Sequence, residues 1–413
     1  MNPSDDICLH EDAVRCAARH ALGWLVFGNT IGLLLSILLV RPQWQPWKWG
    51  YGHWVPLHLN AQLYGWTALP LVGWLMAMYE AGTSKARAWA PAAIRAWTAA
   101  LAISCFRWSG GETSGKIFLD WRNTSLWSFI IALVLLWLVI AAAWKDRSDS
   151  WGKLRRLSSL MGLAVLALVP VMMIVAASPK TYPPVDRTTG GPTGSSLLGS
   201  TLLVIGLMLL LPRVTAVNGK GRAGRGTWIF FGFSWLAFAI TEAMGGGHFD
   251  SWQLGAMLLL VPWAWLIPRD WSGFLWPSRS APWRTSMLLW WAALVLTGVA
   301  MYSPGILDRI KFTQGLVAHS HLAMAGFTTA FCALLIGLCA NRMVGGPVSV
   351  ALWNMAVVTM IIVLAVMGWR EGSGTDWMTV HEGWRETGLL IRTACGTLML
   401  GISVFWLADF RKP

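Results

Sequence analysis

Apolar residues run through this chain in blocks separated by short polar connections, and each block comes close to the ~20 residues that a helix needs to cross a bilayer. The pattern predicts twelve spans, over residues 20–40, 55–79, 88–106, 124–144, 158–178, 196–212, 228–244, 252–268, 285–302, 315–338, 348–368 and 388–408. The expected fold class is therefore all-α, a polytopic membrane protein with one membrane domain over 20–408 between short ends at 1–19 and 409–413. Residues 1–19 carry Asp5, Asp6, Glu11, Asp12, Arg15 and Arg19 with no apolar centre, so they do not read as a cleavable leader.

Composition leaves little room for anything else. Of 413 residues 55% are hydrophobic and 12% charged, and the mean hydropathy is +0.53, so no soluble domain is expected. Lysine and arginine counted by alternate connections give 20 on the side that holds both termini and 11 on the other, with Arg392 inside the last span. That asymmetry predicts cytoplasmic termini in a bacterial inner membrane, and it accounts for most of the net charge of +13. The basic residues are spread over short loops, without the aromatic-studded basic face of a nucleic-acid binder, so the expected surroundings are lipid and no nucleic acid.

Cys8, Cys16, Cys105, Cys332, Cys339 and Cys395 form no CxxC pair and no Cys/His cluster, and they read as small apolar fillers. The glycines suit close helix packing and the thirty tryptophans suit interfacial anchoring. The pattern shows no internal repeat, Gly-rich phosphate loop or nucleophile elbow. The longest connections, 108–123, 179–194 and 370–387, all fall on the outer side.

Eight histidines carry the candidate chemistry. His10 and His20 lie at the N-terminal edge. His58 falls at the outer start of the second span, and His319 and His321 at the outer start of the tenth, so three intramembrane histidines share one expected depth. Histidine inside a membrane is costly and functional by default. At about 100° per residue, positions two apart project roughly 200° apart, so the two imidazoles of His319-Ser320-His321 point to opposite faces of a helix. Such a pair suits two flat macrocycles, one on each side, better than one shared metal ion. A lone histidine of this kind would more simply bond a carbonyl between helices, but three at one depth favour ligation.

These features resemble subunit I of the heme-copper oxidases, most closely the C-type branch with two b hemes, near nitric-oxide reductase. The resemblance spans nearly the whole chain. It rests on twelve spans, the Pro56-Leu57-His58-Leu59-Asn60 stretch, the His-x-His pair, and a tail from Gly368-Trp369-Arg370 to Arg392-Thr393-Ala394-Cys395-Gly396. It implies His58 and His321 as axial ligands of a low-spin heme and His319 as proximal ligand of a high-spin heme. It also implies Arg370 and Arg392 at the heme propionates, with Arg385 and His381 as helpers.

The departure from that family is equally specific. Its second metal is held by one histidine from the sixth span and a pair from the seventh. Here those positions read Gly190-Gly191-Pro192-Thr193-Gly194-Ser195-Ser196 and Glu242-Ala243-Met244-Gly245-Gly246-Gly247-His248. Hydroxyls and glycines do not replace nitrogen donors, so a conventional copper centre is not expected. No tyrosine stands in the seventh span. Glu242, with His248 and Asp250, is a weak catalytic candidate, as a proton-relay end or a non-heme iron site; the plainer reading is a carboxylate bonded to the glycine-rich turn.

The expectation is a two-b-heme membrane protein of respiratory electron transfer, related to cytochrome c oxidase. Its partners would be other respiratory-complex subunits and an extracytoplasmic cytochrome or copper-protein donor, since the chain has no CxxCH motif and no copper domain. Two alternatives stay open: an active oxidase or nitric-oxide reductase with an unconventional second metal, and a heme-free twelve-helix transporter or structural paralogue.

Overall fold

The structure, a computed structural model, describes residues 3–45, 50–178, 180–181, 193–215, 217–374 and 383–412, with side chains described from Ala13 onward. The fold is α-helical. Within a bilayer a helix satisfies its own backbone donors and acceptors, which is why long apolar runs take this form. Among the described residues ten helices are long and apolar enough to cross a membrane. The two remaining expected spans are helical too, over Tyr51–Met78 and Ala90–Ser109, but polar groups such as Asn60, Gln62, Arg95 and Arg107 thin their apolar content. Length and apolarity together therefore give ten spans where the hydropathy pattern drew twelve.

The chain divides into two compact units. The first contains Met1–Pro184, Cys332–Ser349 and Gly396–Pro413, and the second Val185–Phe331 and Val350–Cys395.

In the first unit, α1 (Pro3–Val40) lies along a helix made of α2 (Tyr51–Asn60), a π-helical segment (Ala61–Thr67) and α3 (Ala68–Met78). Small residues set the antiparallel register. Ala17 meets Gly73, Trp24 lies on Gly65, Gly28 faces Gln62 and Gly32 faces His58. Residue numbers rise along α1 as they fall along its neighbour, and each close approach needs a residue without a bulky side chain on one side. The helices α4 (Ala90–Ser109), α5 (Asn123–Arg147) and α6 (Lys153–Ala177) complete this unit's long elements before residue 184. Trp97 and Trp121 pack on Phe129, with ring centroids 4.7 and 4.2 Å apart, joining α4, α5 and the connection between them. At the opposite end Glu80 accepts hydrogen bonds from Arg147 Nε at 2.9 Å, Arg155 Nη2 at 2.8 Å and Trp151 Nε1 at 3.0 Å.

In the second unit, α7 (Gly194–Val214) and α8 (Arg225–Met244) precede a span broken into α9 (Ser251–Met257), a 3-10 turn (Leu258–Leu260) and α10 (Trp263–Trp271). Then come α11 (Ala281–Met301), the short α12 (Ile306–Ile310), α13 (Gln314–His321) and a second π segment (Leu322–Thr328), which leads into α14 (Thr329–Cys339), a helix that belongs to the first unit from Cys332 onward. Of the helices α15 (Pro347–Glu371) and α16 (Gly383–Arg411), this unit holds α15 from Val350 and α16 up to Cys395, and the rest of each belongs to the first unit. Thr193 caps α7 by accepting from Ser196 N, and Thr313 caps α13 by accepting from Gly315 N. Arg213 at the end of α7 forms a two-pronged ion pair with Asp270, at 2.7 and 2.9 Å. The same carboxylate accepts from Ala223 N, beside a short antiparallel pairing of Asn218–Gly219 with Phe274–Leu275.

Candidate functional site

His58 belongs to the first unit and His319 and His321 to the second. Each is described within its own unit. His58 sits on α2 with its Nδ1 2.8 Å from the carbonyl oxygen of Gly28. A carbonyl only accepts, so Nδ1 carries the proton and the lone pair of the neutral ring is on Nε2. His321 makes the same kind of bond within its own helix, Nδ1 to Val317 O at 2.8 Å. His319 Nδ1 lies 3.3 Å from Thr297 Oγ1 on α11. The Thr297 hydroxyl already gives its one proton to Ala293 O at 2.7 Å, so it accepts from His319 and leaves this lone pair on Nε2 as well. In each ring a fixed hydrogen bond at Nδ1 sets the orientation and the basicity of the imidazole, the arrangement a metal-ligating histidine takes.

Both histidine-bearing helices carry a π segment, a feature associated with functional sites that hydropathy does not reveal. His58 lies three residues before Ala61–Thr67 and His319 three residues before Leu322–Thr328. The correspondence goes further. Six residues after each histidine, the carbonyl of Tyr64 or Ala325 accepts from an indole of a later helix, Trp97 Nε1 at 2.8 Å or Trp353 Nε1 at 2.9 Å. Seven residues after each, Gly65 or Gly326 lies against a tryptophan of an earlier helix, Trp24 or Trp290. Eight residues after that tryptophan, Gly32 or Gly298 faces the Cε1 atom of the histidine. A Cβ on Gly32 would stand 2.7 Å from His58 Cε1, and one on Gly298 would stand 3.6 Å from His319 Cε1. The two units thus build their histidine helices on one plan, an internal repeat that the sequence pattern did not show. His321 has Asn60 as its counterpart in this plan. Asn60 is fully buried and donates to Asp120 Oδ2 at 3.2 Å, and burial pushes the Asp120 carboxyl up.

Of the arginines named from sequence, Arg392 and Arg385 reach the start of α13, Arg385 through Glu371. Arg392, only 8% exposed, donates from Nη1 to Gln314 Oε1 at 3.0 Å. Glu371 accepts from Gln314 N at 2.8 Å and from Arg385 Nε at 3.3 Å, so Arg385 is engaged with a buried carboxylate. Arg370 is exposed, its guanidinium 5.3 Å from the Trp384 ring centre. His381 lies outside the described residues, as do Gly190, Gly191 and Pro192. Sequence reasoning passed over Arg309, which stacks on Trp369 at 3.8 Å and bonds Ser373.

The expected cluster of Glu242, His248 and Asp250 does not form. Glu242 Oε2 accepts from Ser195 Oγ at 2.8 Å, Asp250 Oδ2 accepts from Gly247 N at 2.7 Å, and His248 Nε2 pairs with Asp308 Oδ1 at 3.3 Å. Each goes to a different partner because the turn Gly245–Gly246, both residues with positive φ, is closed by Asp250 before His248. Among the described residues no group of three or more His, Cys, Asp and Glu side chains could hold a metal ion. The plainer reading of Glu242, a carboxylate bonded to the glycine-rich turn, is not what the structure gives either, because its side chain takes the Ser195 hydroxyl and Asp250 is the carboxylate that bonds the turn. The bond from the Lys311 ammonium holds the Asp308 carboxyl below its ordinary value, with a smaller contribution from His248. No protein-family model matches this chain, and no curated protein matches it.

Proposed function

We propose that this chain is a two-heme membrane protein of respiratory electron transfer, distantly related to subunit I of the heme-copper oxidases, with both termini in the cytoplasm. In this reading residues 55–79 and 88–106 also cross the bilayer, which brings the spans to twelve. His58 and His321 would hold a low-spin b heme and His319 a second, high-spin one. When bound, such hemes supply one-electron chemistry, and a five-coordinate iron adds an open face for a diatomic ligand. The observation that carries the reading is the shared orientation of the three rings, Nδ1 engaged and the lone pair on Nε2.

The chain's own residues would do the rest. The bonds to Gly28 O, Val317 O and Thr297 Oγ1 hold the imidazoles in the ligating tautomer. Arg392 and Arg370 would face propionates, since guanidinium groups match carboxylates in two-pronged fashion. No conventional copper centre is proposed, because the outer ends of α7 and α8 carry Ser195 and Glu242 bonded to each other. An extracytoplasmic cytochrome or copper-protein domain on another subunit would deliver electrons.

The test is an optical spectrum of the purified protein, dithionite-reduced and then exposed to carbon monoxide, with iron and copper counted per chain. Two irons, no copper and a carbon-monoxide shift in half the heme are expected. One copper per chain would return the protein to the active oxidases, and absence of iron would overturn the heme reading.

A further inference from the structure

The two histidine helices follow one plan, and they differ at one point that bears on chemistry. In the first unit the imidazole Nδ1–H of His58 reaches a backbone carbonyl, Gly28 O, at 2.8 Å. Aligning Trp24 with Trp290, and Gly32 with Gly298, puts Leu294 in the place of Gly28. The corresponding carbonyl, Leu294 O, does not take the His319 proton. The Thr297 side chain stands there instead, 3.4 Å from Leu294 O and 3.3 Å from His319 Nδ1. We propose that Thr297 is a positioning residue that keeps His319 a neutral and weakly donating imidazole, so that an iron held by His319 favours the ferrous state and reversible binding of a neutral diatomic gas.

Acceptor strength at Nδ1 sets how much density the ring donates. A proximal imidazole pushes electron density to its metal in proportion to how strongly its second nitrogen's proton is drawn away. A carboxylate draws it most and a carbonyl at 2.8 Å draws it well. A hydroxyl at 3.3 Å, its own proton on Ala293 O, draws it least and still fixes the tautomer. Strong push favours oxygen–oxygen cleavage, and weak push favours a ligand that binds and leaves.

The inference rests on the heme reading, and its test separates the two. Selective nitrogen-15 labelling of histidine in the heme-free protein should show His319 as the Nδ1–H tautomer in the parent and in Thr297→Ser, and as a tautomer mixture in Thr297→Val. In the heme-loaded ferrous protein the iron–histidine stretch should fall in frequency in Thr297→Val and return to the parent value in Thr297→Ser. Thr297→Asp should raise it and lower the midpoint potential of that iron alone. Parent values in Thr297→Val for both the tautomer and the stretch, at full heme content, would leave Thr297 a packing residue and overturn the proposal. A parent protein that binds no heme would sink the heme reading instead, and the labelling experiment would still decide the tautomer.

Discussion

Gly32 on α1 faces the imidazole of His58 so closely that a Cβ on the glycine would stand 2.7 Å from His58 Cε1 and 3.0 Å from Nδ1. Gly32→Ala should therefore push the ring away and break its bond to Gly28 O. Overpacking of this kind costs about 1–3 kcal/mol. The expected outcome is a lower thermal midpoint and, under the proposed heme assignment, loss of the low-spin signal, measured on one purified sample. Gly298→Ala, where the same approach is an ordinary 3.6 Å, should leave the midpoint nearly unchanged.

The ligand assignment predicts a pattern over three single variants. His58→Ala and His321→Ala should each remove the low-spin signal, and His319→Ala should spare it while abolishing carbon-monoxide binding. Reduced-minus-oxidised spectra of membranes from each strain read this directly. Loss of the low-spin signal in all three would refute the assignment.

The matched indole bonds to the two π segments give a paired prediction. Trp97→Phe and Trp353→Phe each remove a donor from a carbonyl, Tyr64 O or Ala325 O, and keep most of the aromatic bulk. Each should cost about 0.5–1.5 kcal/mol, the net worth of one hydrogen bond. Unfolding in mixed detergent would measure both, and similar losses are expected because the two positions do the same job.

Arg213 and Asp270 form a pair in which the carboxylate is only 1% exposed. Arg213→Ala strands that charge and should destabilise by about 3–5 kcal/mol. Replacing both partners by leucine should cost much less, because the desolvation of the carboxylate disappears with it. The same unfolding assay on single and double variants checks the inequality.

Glu80 provides a pH dependence. Burial pushes its carboxyl up, but the bonds from Arg147, Arg155 and Trp151 outweigh burial and hold it below the ordinary value of 4.5. The unfolded chain then binds the proton more readily, so the contribution of Glu80 is fully present above 4.5 and is lost as the pH falls through the lower folded value. Glu80→Gln should flatten this acid limb, as thermal midpoints recorded on descending pH would reveal; parallel curves for the two proteins would refute it.

The apolar runs alone determined that this chain is helical and membrane-embedded, because a backbone in hydrocarbon has few ways to satisfy its polar groups and a run of that length has one. The opposed faces of His319 and His321 were legible for the same reason, since helical geometry is local. The two π segments were not legible. Each depends on tryptophans from other helices, Trp24 and Trp97 in one unit and Trp290 and Trp353 in the other, that lie 28 to 41 residues away along the chain. The repeat stayed hidden because it is carried by contacts whose sequence spacings differ between the units. Glu242, His248 and Asp250 looked like a cluster because they are close in sequence, and the glycine turn sent each to a separate partner. Thr297 offered no signal at all, since a hydroxyl becomes informative only when a neighbouring helix brings a histidine to it.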